Sequence, residues 1–534
     1  MAEQKLQSRP FGGWISTISG VNTASGSTAA LEGGEDQYSY SVAISLNRLE
    51  KFGHISPGEV LTAVSDSSSY VVALAENANV ASNGRSFIVL QNGYVVRTST
   101  DGTSFNGYAI PIAHAANSLR SSANVDSIII KDAASTPNEY VIATWEDNGN
   151  TADAMTHIVG ATGAATQQKS DWFSNGNSAN YLIALASPAQ VPHKLCQGPD
   201  GNIYITNGQY IASATMAAGV SLGAATRNPQ ALNLGAGWVS SGITSYQNFM
   251  AIIGHKATSY IAGLSRSDVR VWLWDGFSPD PNHIYDIPDN YANGICFDGT
   301  RLLAFTNGRN NTSKIFEFNG TSFAQIFETG YILPGNALLQ GAVDTYQNSL
   351  HIGSFGNSDG HVFQLFGRGF HDRTIIKNGS TPATAVGMLK NLYQGQLFVG
   401  VAEGSSGTAP FRILYQDQFS KYYVGANLRT GLIKVPYKST VAKITIIFSQ
   451  FVDGQSKLFL SMFKGYDTCN PGGNTDILNK QINQIGNDKA YSVTIKIPNI
   501  SSCYLNFLFN HVATTDTAAI IQDWGIEFIK SDNP

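Results

Sequence analysis

One pentapeptide in this sequence has the residues of a catalytic nucleophile. Residues 356–360 match the pattern G-x-S-x-G, which in hydrolases forms a sharp turn between a strand and a helix and exposes the serine. Here residues 361–365 are His-Val-Phe-Gln-Leu, a run that predicts a strand where the nucleophile requires a helix. We therefore expect Ser358 to lie in a hairpin loop, and the sequence offers no catalytic residue.

Histidine and cysteine could bind a metal, but their spacing in this chain does not favour it. Three histidines recur every ten residues without an H-x-x-x-H pair or a neighbouring group of carboxylates: His351, His361 and His371. The four cysteines lack a CxxC pair: Cys196, Cys296, Cys469 and Cys503. We expect buried or solvated histidines, cysteines that act as small hydrophobes, and neither a metal site nor a cofactor.

Aromatic residues raise the question of sugar binding. Trp272 and Trp274 point the same way if they lie on a strand. They could form a platform for a sugar ring or pack between neighbouring sheets, and packing is the commoner fate of such a pair. Residues 99–105 resemble the aspartate-box turn of sialidase-like propellers, with Phe105 in place of the usual tryptophan. In those families the turn is structural, so Asp101 is expected to shape a hairpin.

The elements that position these residues follow a repeated turn phrase. Tyr-Gln-Asn or Tyr-Gln-Gly precedes an apolar run at 246–248, 346–348 and 393–395, and Asp298-Gly299 is a related turn. Turns of this kind recur about every fifty residues, with markers at Asn92, Asn138, Asp200, Gln247, Asp298, Gln347 and Gln394. Because Asn-Gly and Asp-Gly readily adopt the positive φ angles of two-residue hairpins, each marks a strand reversal.

The spacing predicts an all-β chain in three parts. Residues 1–55 are an extended N-terminal arm and lead-in, expected to gain structure on another subunit or on the main domain. Residues 56–425 are a β-propeller of about seven blades, with residues 151–170 as an irregular loop. Residues 426–534 carry longer alternating strands, which favour a C-terminal antiparallel β-sandwich or jelly roll. Helix is nearly absent, and residues 476–485 are the one modest candidate.

Composition excludes several classes of partner. Only 13% of the residues are charged, the net charge is −5, and no stripe of Lys or Arg could follow a phosphate backbone, so nucleic-acid binding is not expected. No apolar run approaches the length of a membrane span, and the first residues lack a signal-peptide core, so we expect synthesis in the cytoplasm and no membrane insertion.

Residues 40–58, which end in Ser-Pro-Gly, resemble the lead-in segment of β-propeller structural proteins of tailed bacteriophages. In that group a short lead precedes the first blade, and a β-sandwich can follow the last. The resemblance implies a non-enzymatic virion component of the tail, neck or fibre, acting in assembly or host-surface attachment. Expected partners are other virion proteins, a host surface glycan or receptor, and further copies of the chain in a homo-oligomer.

Two other functions fit the same architecture. A carbohydrate-active propeller, either a sialidase-like glycosidase or a lectin with a glycan-binding sandwich, would line its axis with converging carboxylates or aromatic rings. An intracellular scaffold would instead offer a propeller face to other proteins and would more naturally be a monomer.

Overall fold

In the part of the chain that the computed structural model describes, every regular element is a β-strand. The described residues are the strands between Gln4 and Lys530 and most of 192–215, 226–256, 268–308 and 313–328; side chains are described mainly in those four stretches, with small groups in other strands. The prediction of an all-β protein is confirmed. Within the described residues, no helix has the length and apolarity needed to cross a membrane.

The strands are short and are numbered in chain order. The N-terminal ones are β1 (Gln4–Gln7), β2 (Gly13–Trp14), β3 (Gln37–Val42), β4 (Ile44–Arg48), β5 (Lys51–Pro57) and β6 (Leu61–Ser67). Two groups of four follow: β7 (Val71–Asn77), β8 (Ser86–Gln91), β9 (Val95–Ser99), β10 (Asn106–Ala109), then β11 (Ser127–Lys131), β12 (Glu139–Trp145), β13 (Ala152–Val159), β14 (Tyr181–Ala186).

The three groups with the most complete side-chain description come next in the chain. The first is β15 (Leu195–Gln197), β16 (Ile203–Asn207), β17 (Tyr210–Ala214) and β18 (Arg227–Asn233). The second is β19 (Trp238–Tyr246), β20 (Phe249–Lys256), β21 (Val269–Trp274) and β22 (His283–Ile287). The third is β23 (Tyr291–Phe297), β24 (Leu302–Asn307), β25 (Ser313–Phe318) and β26 (Phe323–Glu328).

The remaining strands complete the chain. The first set is β27 (Ala337–Tyr346), β28 (Ser349–Phe355), β29 (Gly360–Phe366), β30 (Gly369–Asn378), β31 (Thr381–Leu392), β32 (Gln396–Glu403) and β33 (Phe411–Gln416). The C-terminal set is β34 (Ala426–Thr430), β35 (Ile433–Lys434), β36 (Ser439–Gln450), β37 (Lys457–Lys464), β38 (Asp476–Ile482), β39 (Ala490–Lys496), β40 (Tyr504–Val512) and β41 (Ile520–Lys530).

Four-stranded antiparallel meanders are the repeated unit of the middle of the chain. Each group of four from β7 to β26 forms its own sheet, and β27 to β33 continue as one sheet whose last strand is β6. The first strands of successive groups, β7, β11, β15, β19, β23, β27 and β31, contact one another in chain order, and β31 also contacts β7. The contacts between groups therefore run in a closed circuit.

Strands from both ends of the chain share two further sheets. In one, β41 pairs with β1, β5 and β36; in the other, β34 pairs with β3 and β40. The arm predicted for residues 1–55 thus contains strands that pair with the C-terminal region. Only residues 58–60 separate β5 from β6. One short segment therefore joins the sheet of β5 and β41 to β6, the strand that pairs with β33.

The core between sheets arises because successive side chains of β20 and β21 point alternately to the two neighbouring sheets. Met250, Ile252 and the two strand tryptophans face the β15–β18 sheet. Ala251, Ile253, Val269, Val271 and Leu273 face the β23–β26 sheet. Both faces are apolar because these strands lie between two other sheets, and burial on both sides, with nearly every one of these side chains fully covered, is the main stabilising contribution.

The turn phrase marks hairpins as predicted, but one marker lies at a different reversal of its four-stranded group from the other six. Six of the seven markers lie between the first and second strands of a group, whereas Asn92 lies between β8 and β9, the second and third. The Asn-Gly dipeptide there predicts a reversal but carries no information on which reversal it is. In the Tyr246–Phe249 turn it is Gln247 that adopts a positive φ of 54°.

Two local predictions were wrong. Residues 476–485 were the helix candidate, yet Asp476–Ile482 is strand β38, because its pairing with β37 fixes an extended backbone that outweighs local propensity. Residues 151–170 were expected to be a loop, yet Ala152–Val159 is strand β13, held between β12 and β14. In both cases partners distant in sequence decide the conformation.

Candidate functional site

The described sheets have two chemically different ends. In a four-stranded meander the turns after the first and third strands lie at one end, here named the turn end, and the connection after the second strand lies at the other, here named the loop end. The turn end of the β15–β26 sheets carries carboxylate-centred and amide-centred turns, and the loop end carries a network of polar side chains.

A rigid hairpin at the turn end presents an aromatic side chain to solvent. Between β21 and β22, the Asp275 carboxylate accepts hydrogen bonds from the backbone N–H groups of Phe277 (2.9 Å) and Ser278 (2.8 Å) and from the Ser278 hydroxyl (2.7 Å). Asn282 adds a side-chain bond at 3.1 Å, and the Trp274 Nε1–H donates to the Ser278 carbonyl. These bonds leave the Phe277 side chain 78% exposed.

The electrostatics of the hairpin follow from these bonds. Backbone N–H groups that point at the Asp275 carboxylate stabilise its charged form, so the pKa of Asp275 lies well below its usual range. The loop is therefore held by an ionised group at neutral pH. Such a loop loses little conformational entropy when a partner binds its tip.

The hairpin is also anchored to the preceding sheet. The Tyr204 hydroxyl donates to Asp200 at 2.7 Å, and its ring meets that of Trp274 edge to face, with centroids 5.5 Å apart. Gly276 has a φ of +87°, and a Cβ there would lie 2.5 Å from the Tyr204 hydroxyl oxygen. Burial and the Asp200 bond raise the pKa of Tyr204, so the phenol stays a donor.

Neighbouring turns repeat the same chemistry without an exposed aromatic residue. Asp298 accepts bonds from the backbone of Thr300 (2.9 Å) and Arg301 (2.7 Å), and the Arg301 guanidinium forms a 2.9 Å ion pair with it. These hydrogen bonds outweigh partial burial and lower the pKa of Asp298. In the β25–β26 turn of the same sheet, Asn319 accepts from the backbone of Thr321 and Ser322.

At the loop end, polar side chains gather where the β19–β22 and β23–β26 sheets meet. His255 Nδ1 is hydrogen-bonded to the Ser241 hydroxyl at 3.1 Å, and the imidazole meets the Tyr291 ring with centroids 5.8 Å apart. Burial lowers the pKa of His255, although Asp268 opposes the shift. Tyr291 begins β23, the first strand of its sheet, and is 46% exposed.

Asp268 is fixed through its backbone rather than its carboxylate. Its carbonyl accepts from Lys256 N–H and its N–H donates to the Asp289 carbonyl, both at 3.0 Å. Among the described residues, no group donates a hydrogen bond to the Asp268 carboxylate. Asp289, in contrast, is buried, accepts from the Thr306 hydroxyl and lies 3.6 Å from Lys314 Nζ. Of these two aspartates, Asp268 is the one whose carboxylate has no hydrogen-bond donor among the described residues.

Asn293, also in β23, has a buried side-chain amide. Its Oδ1 accepts from the Nδ2 of Asn307, the cross-strand partner of Tyr291, at 3.2 Å. Its own Nδ2 is buried and has no acceptor among the described residues. We name Ser241, His255, Asp268, Tyr291 and Asn293 the Tyr291 cluster. Within the described chain, no group of three His, Cys, Asp or Glu side chains is placed to hold a metal.

The two tryptophans pack between sheets, which is the commoner of the two fates expected from the sequence. Trp272 and Trp274 are each 1% exposed, and Trp272 meets Trp238 edge to face at 5.0 Å. The Arg270 guanidinium lies 4.7 Å from the Trp238 ring centroid and pairs with Asp286 at 2.7 Å. These tryptophans therefore cannot stack on a sugar.

The other predicted residues form no common site in the described structure. Strand β29 begins at Gly360, so a strand and not the helix that a nucleophile needs follows the G-x-S-x-G pentapeptide. His351 is fully buried in β28, opposite Gln364, which is in turn opposite His371. Ser358 itself, Asp101, Cys469, Cys503 and the side chains of His361 and His371 lie outside the described residues.

The described cysteines are free thiols, Cys196 buried and Cys296 half-buried. Burial is the main cause that raises the pKa of both thiols, and nearby aspartates add to it. Neither thiol is a nucleophile at neutral pH, because the thiolate is the reactive form. For Cys196 the prediction of a small buried hydrophobe is confirmed.

Sequence reasoning missed Phe277 and the Tyr291 cluster. Asp275-Gly276 is a turn-forming dipeptide, but nothing in the sequence distinguishes the exposed Phe277 from Phe318 or Phe323, which flank an equivalent turn and are packed. The Tyr291 cluster joins residues from strands that are adjacent only after two sheets pack. No local spacing could have shown it.

These observations define an all-β protein built from a circuit of four-stranded antiparallel groups, with a rigid aromatic hairpin at one end and a polar cluster at the other. No family model matches the chain, and no curated protein matches it. The chain is similar to a WD40 β-propeller domain of Doa1, with 10% identity over 67% of this chain and 97% of that one, at a TM-score of 0.39. It is also similar to a glucose dehydrogenase, with 10% identity, coverage of 67% and 99%, and a TM-score of 0.36. At these scores neither likeness bears on function.

Proposed function

We propose that the chain is a non-enzymatic structural protein of a tailed-phage virion, acting in tail, neck or fibre assembly or in attachment to the host surface. In this proposal residues 56–425 form a seven-bladed propeller and residues 426–534 the main part of a β-sandwich, which residues 1–55 complete. The closed circuit of first strands supports the seven blades, and β6 would supply the fourth strand of the last one.

The observation that carries the proposal is the Phe277 hairpin. The hydrogen bonds to Asp275 fix the backbone of the loop in a conformation that keeps the Phe277 side chain in solvent. Full burial of such a side chain by a partner is worth about 1.5–3 kcal/mol. Aromatic anchors held on rigid frames are typical of protein interfaces, so the hairpin fits contact with another protein better than it fits catalysis.

The test has two parts. First, mass spectrometry of purified particles of the virus that encodes the chain should find it as a stoichiometric component; its absence from the particles would contradict the proposal. Second, Phe277→Asp should lower incorporation into particles at least about tenfold, since it puts a charge where the partner would bury the ring.

Ile284→Asp is the matched control for the second part. Ile284 is also an exposed apolar residue of the same sheet, at 51%, but it lies on strand β22 and not at the hairpin tip. We expect this variant to be incorporated normally. Equal loss in both variants would show that Phe277 has no specific role, and circular dichroism checks that both variants are folded.

A further inference from the structure

The Asn319 turn has the groups of a self-modification reaction. In an Asn-Gly dipeptide the backbone nitrogen of the glycine can attack the side-chain amide of the asparagine, because glycine has no side chain to hinder the approach. Four Asn-Gly dipeptides have described side chains, at 207–208, 293–294, 307–308 and 319–320. In the first three the glycine is buried, whereas in the last both residues are exposed. Of the four, only the Asn319 dipeptide is open to water as a whole.

Hydrogen bonds hold the Asn319 side-chain amide over the glycine peptide. Its Oδ1 accepts from the backbone N–H groups of Thr321 at 3.0 Å and Ser322 at 2.9 Å, and from the Thr321 hydroxyl at 3.0 Å. Because these donors belong to the second and third residues after Asn319, the amide folds back over Gly320, which lies between them. The donors also point at the oxygen on which negative charge develops during the attack, as those of an oxyanion hole do.

The nucleophile and the leaving group of the Asn319 turn are both accessible. The Gly320 N–H has no hydrogen-bond acceptor among the described residues, and nothing lies within 4 Å of the position that a Cβ would take there. The Asn319 Nδ2, which would depart as ammonia, donates to the exposed Ser322 hydroxyl at 3.2 Å. The turn therefore holds the reacting groups together without burying them.

The other three dipeptides are fixed in strands. Asn307 ends β24, where it pairs with Ser313; its Oδ1 accepts from the Ser313 hydroxyl at 2.6 Å, and its Nδ2 donates to Asn293 at 3.2 Å. Asn293 itself lies within β23, and Asn207 pairs with Tyr210 at the end of β16. Attack at these sites requires the strands to open first, and local opening of packed strands is rare.

We propose that Asn319 converts to aspartate and isoaspartate without the help of an enzyme. The Gly320 nitrogen loses its proton and bonds to Asn319 Cγ, the bond between Cγ and Nδ2 breaks, and Nδ2 takes up a proton and leaves as ammonia. One water molecule then opens the resulting succinimide ring at either of its two carbonyl carbons. The reaction consumes water and releases ammonia, and no oxidant, reductant or cofactor takes part.

The two products differ in their effect on the turn. Aspartate would place a carboxylate where Asp298 has one in the first turn of the same sheet, and there the carboxylate accepts from the backbone of Thr300 and Arg301. Isoaspartate adds a methylene group to the main chain, which moves the Thr321 and Ser322 N–H groups away from their acceptor. Both products add a negative charge to the turn end, so the converted fraction reports the age of the molecule.

The experiment incubates the purified full chain at pH 8 and follows two peptides by mass spectrometry. Cleavage after Glu317 and Glu328 releases residues 318–328, in which Asn319 is the one asparagine. Trypsin releases residues 302–309, in which Asn307 is the one asparagine. In the folded chain we expect Asn319 to convert at least about tenfold faster than Asn307. In urea, where both dipeptides are open to attack, the two rates should converge.

Gly320→Ala is the matched variant. Its methyl group lies beside the attacking nitrogen, so conversion of Asn319 should slow about tenfold or more, while that of Asn307 stays unchanged. The rate at Asn319 should also rise from pH 6 to pH 8, because the nitrogen must lose its proton. Equal rates of Asn319 and Asn307 in the folded chain, conversion of Asn319 only after unfolding, or a rate that Gly320→Ala leaves unchanged would each overturn the inference.

Discussion

Gly276→Ala tests the contact that joins the hairpin to the preceding sheet. A side chain at a φ of +87° costs about 1–2 kcal/mol. The new Cβ would also lie 2.5 Å from the Tyr204 hydroxyl oxygen, so the phenol must move and lose its bond to Asp200. A hydrogen bond to a charged acceptor is worth about 1.5–3 kcal/mol. We expect the free energy of unfolding to fall by about 2.5–5 kcal/mol.

Gly320→Ala is the matched control in the next sheet. Gly320 occupies the same turn position, between β25 and β26, with a φ of +96°, but nothing lies within 4 Å of its added Cβ. Only the backbone cost of about 1–2 kcal/mol should appear. Urea unfolding followed by tryptophan fluorescence measures both, because Trp272 and Trp274 lie in the core beside the hairpin.

A third variant isolates the phenol. In a Tyr204→Phe background the hydroxyl that the new Cβ would displace is gone, so the cost of Gly276→Ala should fall toward that of Gly320→Ala. The remaining close contacts of the Cβ are Met250 Cε at 3.2 Å and the ring Cζ of residue 204 at 3.3 Å. Equal costs of Gly276→Ala and Gly320→Ala in the native background, or an unchanged cost in the Tyr204→Phe background, would refute the reasoning.

Three further predictions concern the core, the turns and the thiols. Trp272→Ala should cost about 3–5 kcal/mol in the same urea assay, since the buried ring leaves a cavity between two sheets. Asp275 has a depressed pKa in the folded state, so its contribution to stability is present above the unfolded pKa near 4 and is lost as pH falls through the folded pKa; Asp275→Asn should reduce the decrease in melting temperature below pH 4. Iodoacetamide at pH 8 should alkylate Cys196 and Cys296 only after unfolding, because burial keeps both thiols protonated, and peptide mass spectrometry would detect an early reaction that contradicts this.

The turns were predictable from sequence because a turn is a local requirement. Asp298-Gly299 and Asn319-Gly320 pair an acceptor side chain with a glycine that has a positive φ, and both features are readable in adjacent residues. The hairpin at Asp298-Gly299 followed from the spacing of the turn dipeptides, and packing between sheets was the commoner of the two fates expected for Trp272. Which two strands of its group the Asn92 turn joins could not be predicted, since every reversal in a meander has the same local chemistry.

Pairings between segments distant in the chain could not be predicted from the sequence. Strand β38 carried a helix-like composition, and only its register with β37 makes it a strand. The Tyr291 cluster brings together residues from β19, β20 and β23 and from the residue before β21, so it exists only once two sheets have packed.

The sharing of sheets between the two ends of the chain sets an order of events during synthesis. Strand β5 ends at Pro57, but its partner β41 begins at Ile520. At roughly 5–20 residues per second, the early strands wait on the order of a minute for their partners. During that time their edges are open to any other strand, including those of a second nascent chain on the same message. The N-terminal strands are therefore the part of the molecule that most needs protection on the ribosome, and the part through which neighbouring chains could first meet.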